Sequence, residues 1–381
     1  MAKLTSRERV VLSLQGAEVD YIPCSPFFNN VTALQRVGHR WEFPWGPSPQ
    51  EQVTYCVDNL GLDPVVHLAA GQVVPDAEVS FRVWEQNGMI HKVWDTPAGQ
   101  LRSAVRYNEH WPFGLDIPLF SDFIGHYIEP WLQTAEDLAC LRHVLARVEL
   151  SDALAFSNRE FRNLADRYQL PTLASVGSGL TGAQQLCGAE PLCLMSIEQP
   201  DLVHGYLELE HKLNLQMIEV AAEQGTDIIR RNGFYETCDL YSPQMLSMFL
   251  AARLKAEIEQ VHAFGKLSGY TVHTGVEPML DYLAGMDFDC IMHIDTAFQG
   301  INLHRVKDKM GSSKSFWIGP SNTFHMFASD SEVIRQNVRD MFEIFGHKGW
   351  LLTACPSAHP IMPWANTLAM VDEWKKLKVS V

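Results

Sequence analysis

The stretch GYTVHTGV, residues 269–276, ends an alternating β-branched run on a histidine and then hands over to a glycine. His273 thus stands where a strand should stop, a place from which an imidazole can act as acid, base or metal ligand. Other short apolar runs end in the same way. Ser178 follows one, and Arg230, Arg231 and Asn232 close another, with Glu236 in the loop beyond. His293 and Asp295 end a third, Ser321 and Asn322 follow a fourth, and Cys355 ends the last, ahead of Ser357 and His359. His293 and Asp295 lie two apart and so share a strand face, which suits a histidine oriented by a carboxylate and equally suits a buried structural pair. Only one of Arg230 and Arg231 can face inward. Zinc takes about four N, S or O ligands and keeps one position open in catalytic sites. His273, Cys355 and Glu236 come from three strand ends and form a candidate three-ligand set, which their separation along the chain neither supports nor excludes. Each also has a plain structural reading: a strand-end histidine as a hydrogen-bonding residue, a lone cysteine as a buried thiol.

The elements that must position these residues follow a regular rhythm after Leu170. Strand-like runs at 172–177, 226–231, 267–273, 290–295, 315–319 and 350–355 alternate with helical periodicity such as 243–262 and 331–345. Alternation of this kind implies parallel pairing, and so many units in one chain favour a closed (β/α)8 TIM-type barrel, whose chemistry sits at the C-terminal ends of its strands. Thr5 with Glu8 forms a capping box that predicts a helix over about 5–16. Asn87-Gly88 and Thr96-Pro97-Ala98-Gly99 punctuate short alternating runs from Val83 to Arg106 and predict a small antiparallel excursion. The Pro-, Trp- and Phe-rich stretch 22–49 reads as irregular, and we take residues 1–80 as an N-terminal helical and irregular extension, with a lid, on a single barrel domain. Phe27, Phe28, Trp41, Phe43 and Trp45 suit a lid over a flat apolar substrate; the alternative is that these rings pack the segment onto the barrel.

Bulk composition narrows the partners. The 381 residues carry 45 acidic against 30 basic side chains, a net charge of −15, which argues against a nucleic-acid partner. No apolar run approaches the roughly 18 to 20 residues of a membrane span, and the start lacks a signal-peptide pattern, so no membrane partner and a cytoplasmic location are expected. The eight cysteines show no paired short spacing and read as buried, reduced thiols.

Four segments, LTSRERVVLSLQGAEVDYIP, VWDTPAGQLRS, SVGSGLTGAQQLCG and the closing Cys355 followed by PWANTLAMVDEW, resemble in order the uroporphyrinogen decarboxylase superfamily. The resemblance runs over nearly the whole chain and implies a (β/α) barrel. It also implies one of several activities. The decarboxylase proper carries an arginine motif close to MRQAGR after its N-terminal Ile-Pro. Here Ile22-Pro23 is followed by no arginine before Arg36, which leaves substrate carboxylates without their cations. Corrinoid-linked methyltransferases form the other branch. Its coenzyme M enzymes bind zinc through His-x-Cys and a late Cys. His273 and Cys355 match the first and last of these, but Gly275 stands where the middle cysteine would be. The O-demethylase methyltransferases use two Glu and one His, for which Glu236 and His273 are candidates while Ala251 and Ala252 occupy the region of the second Glu.

The resemblance therefore implies transfer of a methyl group from a small methylated substrate, an aryl methyl ether, to the cobalt of a separate corrinoid protein. Cobalamin would be carried by that partner, and zinc would be held by His273 and Glu236, with Cys355 as a third ligand or as a wall of the pocket. His273 and Glu236 would assist the departing oxygen, with His293 and Asp295 as a reserve acid pair. Arg230 or Asn232 would orient a ring substituent, and Phe27, Phe28 and Trp45 would cover it. The alternatives are a coenzyme M-type thiol methyltransferase, a decarboxylase, and a non-catalytic corrinoid- or ligand-binding barrel.

Overall fold

The computed structural model describes residues 3–30, 40–109, 111–121 and 127–378; Arg36 lies outside them. Thr5 caps the first helix, Ser6–Leu14, through the expected box: its side chain accepts from Glu8 N while the Glu8 carboxylate accepts from Thr5 N. Val10 and Leu14 of this helix pack among Leu173, Ile228, Met292, Trp317 and Leu351, the inward side chains at the bottom of the barrel, and plug that end.

The chain then enters the barrel through β1 (Val66–Leu68), a strand too short to stand out in the sequence. An excursion follows. β2 (Gln72–Val74) pairs antiparallel with β7 (Arg147–Glu149). β3 (Ser80–Gln86), β4 (Met89–Thr96), β5 (Gly99–Arg106) and β6 (Tyr127–Glu129) form a separate antiparallel sheet in that order. Asn87 and Gly88 both have positive φ, 54° and 71°, as a tight hairpin between β3 and β4 requires. The excursion expected over Val83–Arg106 is thus present, with β6 as a fourth strand supplied from beyond it.

The barrel resumes with β8 (Thr172–Val176), β9 (Ile228–Asn232), β10 (Leu267–Thr271), β11 (Cys290–Asp295), β12 (Ser315–Gly319) and β13 (Trp350–Leu352). Together with β1 they form one parallel sheet in the order β1-β8-β9-β10-β11-β12-β13. β11, β12 and β13 are buried along their whole length, as parallel strands covered on both faces must be. An eighth stave comes from the N-terminal segment. Leu352 N donates to Pro23 O and Ser25 N donates to Leu352 O on one side, and Asp63 N donates to Cys24 O on the other. This joins β13 to the run into β1 and gives the TIM-type barrel. Helices expected at 243–262 and 331–345 appear as Pro243–Leu246, Ser247–Ala251 and Ala252–Ala263, the middle piece a wider π turn, and as Glu332–Phe345. No helix among the described residues is long and apolar enough to cross a membrane.

Candidate active site at the mouth of the barrel

The two-residue period of β9 separates its two arginines. Ile228 faces the barrel floor, so Arg230 and Asn232 face inward higher up and Arg231 faces the surrounding helices. Arg230 donates to Ser175 Oγ through Nε (3.2 Å) and Nη2 (2.8 Å), and its guanidinium lies 4.9 Å from the Phe27 ring centroid. Arg230, Asn232 and Phe27 line a cavity of about 350 Å³ at the C-terminal ends of the strands. Phe234 and Tyr235 from the loop after β9, Thr271 from β10, His293 from β11, and Asn29, Asn322, Pro356, Ser357 and His359 from the mouth loops complete its wall.

His293 reaches this wall through an irregularity. Its φ is 71°, rare for a residue with a Cβ, and the register between β11 and β12 shifts between Met292 and Asp295. The bulge breaks the alternation from which a His293–Asp295 pair was expected. Asp295 instead accepts from Ser321 Oγ (2.9 Å) and Ala297 N (2.9 Å), and its Oδ2 lies 3.6 Å from His273 Nε2. His293 sits beside Phe27, with ring centroids 5.7 Å apart, and is held neutral: burial, reinforced by the charge of Arg230, pushes its pKa well below the ordinary histidine value. His67 of β1 faces open space inside the barrel, edge-on to Phe27 at 4.9 Å. Enclosure by protein and the nearby Arg230 bring its pKa down to about 3.

His273 does not itself line the cavity. Phe234, which does, stacks on its ring at 4.7 Å and 22°. Burial lowers the His273 pKa, while Asp295 and Asp239 act in the opposite direction. Glu236 points away from the mouth, into the layer between sheet and helices. Its Oε1 accepts from Leu180 N (3.0 Å), its Oε2 from Tyr270 OH (2.5 Å), and Arg231 Nη2 lies 3.4 Å away. Burial raises its pKa to about 7 against the attraction of Arg231. Cys355 is fully buried, and burial, with Asp295 nearby, raises its thiol well above the ordinary value. The expected zinc set of His273, Cys355 and Glu236 is therefore not assembled: Glu236 is committed on the far side of the sheet, and among the described residues no three His, Cys, Asp or Glu side chains are grouped to hold a metal.

The lid aromatics divide as well. Phe27 and Phe28 are neighbours on an extended segment, Ala358 N donating to Phe27 O, and so point opposite ways. Phe27 enters the cavity, whereas Phe28 packs on Phe43 (5.4 Å) and Trp45 (5.0 Å) in a buried cluster with Trp364. Phe28 and Trp45 thus pack the segment onto the barrel. Sequence reasoning missed His67, Ser175, Phe234, Tyr235 and Thr271. The two-residue period through Arg230 and Asn232 would have found Ser175, which lies beside Arg230 in register, and Thr271, which lies beside Asn232, but nothing local announces the others.

Residues 111–377 match the family model of uroporphyrinogen decarboxylase. No curated protein matches the chain. Among solved structures, a methyltransferase from Methanosarcina mazei is similar over 98% of this chain and 99% of that one, with a TM-score of 0.63 and 17% identity. A B12-independent methionine synthase from Shewanella sp. W3-18-1 is similar over 61% and 67% of the two chains (TM-score 0.43, 11% identity), and 3-keto-D-glucoside 4-epimerase from E. coli over 59% and 85% (TM-score 0.36, 9% identity). With the family match spanning most of a barrel whose polar side chains gather at one mouth, the chain belongs to the uroporphyrinogen decarboxylase family.

Proposed function

We propose that the protein moves a methyl group from an aryl methyl ether to the cobalt of a separate corrinoid protein. The observation that carries this reading is the cavity. At about 350 Å³, at the small end of ligand pockets, it suits one aromatic ring, and its wall offers the rings of Phe27, Phe234 and Tyr235. Arg230 is the one lysine or arginine among its described lining residues, a poor match for a porphyrinogen bearing many carboxylates. The full-length likeness to the fold of the Methanosarcina methyltransferase also supports it.

A reduced corrinoid, when its carrier docks, supplies the nucleophile for the methyl carbon. The residues of this chain have a different task. Breaking the carbon–oxygen bond leaves both bonding electrons on the ether oxygen, so the site must stabilise a developing phenolate. Arg230 supplies a fixed positive charge, held in place by Ser175 and the Phe27 ring. His293, kept neutral, can hydrogen-bond to the oxygen without competing with Arg230 for its charge. Asn232 and Asn322 orient ring substituents. His273 with Asp295 forms a second polar pair behind Phe234, outside the cavity wall.

The test is to mix the purified protein, without oxygen, with free cob(I)alamin and a set of methoxybenzenes, and to follow methylcobalamin by absorbance. Accelerated methylation that depends on Arg230 supports the proposal. Methylation no faster than without protein, together with release of carbon dioxide from a carboxylated substrate, would favour a decarboxylase.

A further inference from the structure

Glu236 is fully buried and absent from the cavity wall, yet it grips the turn that builds part of that wall. Its two oxygens hold Tyr270 OH and Leu180 N, which lies in the first turn of the helix Gly179–Cys187. The turn packs directly on this anchor: a Cβ at Gly233 would lie 2.3 Å from the Tyr270 ring and 2.6 Å from Glu236 Oε2, and one at Gly179 would lie 2.1 Å from Glu236 Oε1. Glu236 N donates to Gly233 O and Gly233 N to Thr271 O, so residues 233–236 form one closed turn on β10. Within it Tyr235 N donates to Thr181 Oγ1 on the same helix, and Phe234 is left lying on His273.

We infer that Glu236 is a positioning residue: by tying turn 233–236 to Tyr270 and to the start of helix Gly179–Cys187, it sets Phe234 against His273 and Tyr235 against the cavity, and so fixes the wall on which the substrate ring lies. Its kinetic consequence rests on the aromatic-substrate reading above; the placement of Phe234 does not. A partner for the arrangement is Arg231, whose Nη2 lies 3.4 Å from Glu236 Oε1 while its other nitrogens face Glu210 and Glu257. The anchor is thereby braced from the sheet side.

The experiment reads the Phe234–His273 stack directly. The protein is labelled with carbon-13 at histidine Cε1, and the His273 signal is assigned by its loss in His273→Asn. A stacked ring shields the imidazole proton, so Phe234→Leu gives the unshielded position. Glu236→Ala should move the His273 signal toward that position, Tyr270→Phe part of the way, and Glu236→Gln, which keeps an oxygen for Leu180 N, should leave it near the native one. With an accepted methyl donor, Glu236→Ala should raise KM about 3- to 10-fold with kcat little changed, the loss of a ring contact felt equally in ground and transition states. A His273 signal that stays at its native position in folded Glu236→Ala overturns the inference. So does a fall in kcat at unchanged KM, which signals fewer folded molecules. If Glu236→Ala does not fold, an unmoved signal in Tyr270→Phe overturns it instead. Absence of any turnover would remove the methyl-transfer reading and leave the resonance result to stand or fall alone.

Discussion

Adjacent arginines 230 and 231 should fail in opposite ways when each is replaced by methionine. Arg231 is 5% exposed at its side chain and faces three carboxylates, Glu257 at 3.1 Å and Glu210 and Glu236 at 3.4 Å. Removing it strands buried negative charge, for which about 3–5 kcal/mol of lost stability is expected. With an unfolding entropy of about 2.1 cal/mol/K per residue over 381 residues, that is a fall in Tm of ~4–6 °C. The deficit has a pH signature. Without Arg231, burial acts on Glu236 and Glu257 unopposed by its charge, and they then hold protons more tightly folded than unfolded, so the loss should be largest in mild alkali and shrink as pH falls toward 5. Arg230→Met removes two hydrogen bonds to Ser175 and should cost about 1 kcal/mol, while abolishing methyl transfer. Calorimetry and urea denaturation at several pH values, beside the turnover assay, decide the matter. An Arg231→Met chain as stable as the native one, or an Arg230→Met chain less stable than Arg231→Met, would contradict this division of roles between the two side chains.

Other outcomes follow from the same geometry. Glu236 titrates at about 7 in the folded chain against an ordinary 4.5, so its ionisation withdraws about 3 kcal/mol of stability as pH rises through that window; Glu236→Gln should therefore gain on the native chain between pH 5 and pH 8 in urea denaturation. Gly275 has φ of 61°, and a Cβ there would lie 2.2 Å from Thr237 Oγ1 and 2.6 Å from Asp239 N, so Gly275→Ala should cost about 2–4 kcal/mol, seen as a lower thermal midpoint. At the positive φ of His293 a β-branched residue adds strain, so His293→Val should be about 1–3 kcal/mol less stable than His293→Asn, with turnover reduced in both. Elemental analysis after growth with added zinc should give the same zinc content for Glu236→Ala as for the native chain; a zinc lost only in the variant would mean that Glu236 turns into the mouth.

Much of the architecture was legible because the barrel strands are uninterrupted apolar runs: 290–295 and 315–319 have the expected bounds, and the capping box and Asn87-Gly88 mark their elements by local chemistry. The staves at Cys24 and Val66–Leu68 were not, since a single bridge and three residues leave no periodic trace. At the site, alternation correctly separates Arg230 from Arg231 because both lie inside a regular strand. It fails for His293 and Asp295, where a bulge intervenes, and for Glu236, four residues beyond the strand, where the direction is set by Tyr270 and Leu180, remote in sequence. Residues beyond the end of a strand inherit none of its period.

The most direct test of methyl transfer uses a methoxybenzene whose methyl carbon is carbon-13. The protein, free cob(I)alamin and this donor are incubated without oxygen, and the cobalamin is recovered for carbon NMR. Methyl transfer predicts the label in the cobalt-bound methyl group, with one phenol released for each methylcobalamin formed, and neither product when Arg230→Met replaces the native chain. Phenol released without labelled methylcobalamin, or label transferred equally by Arg230→Met, would contradict it.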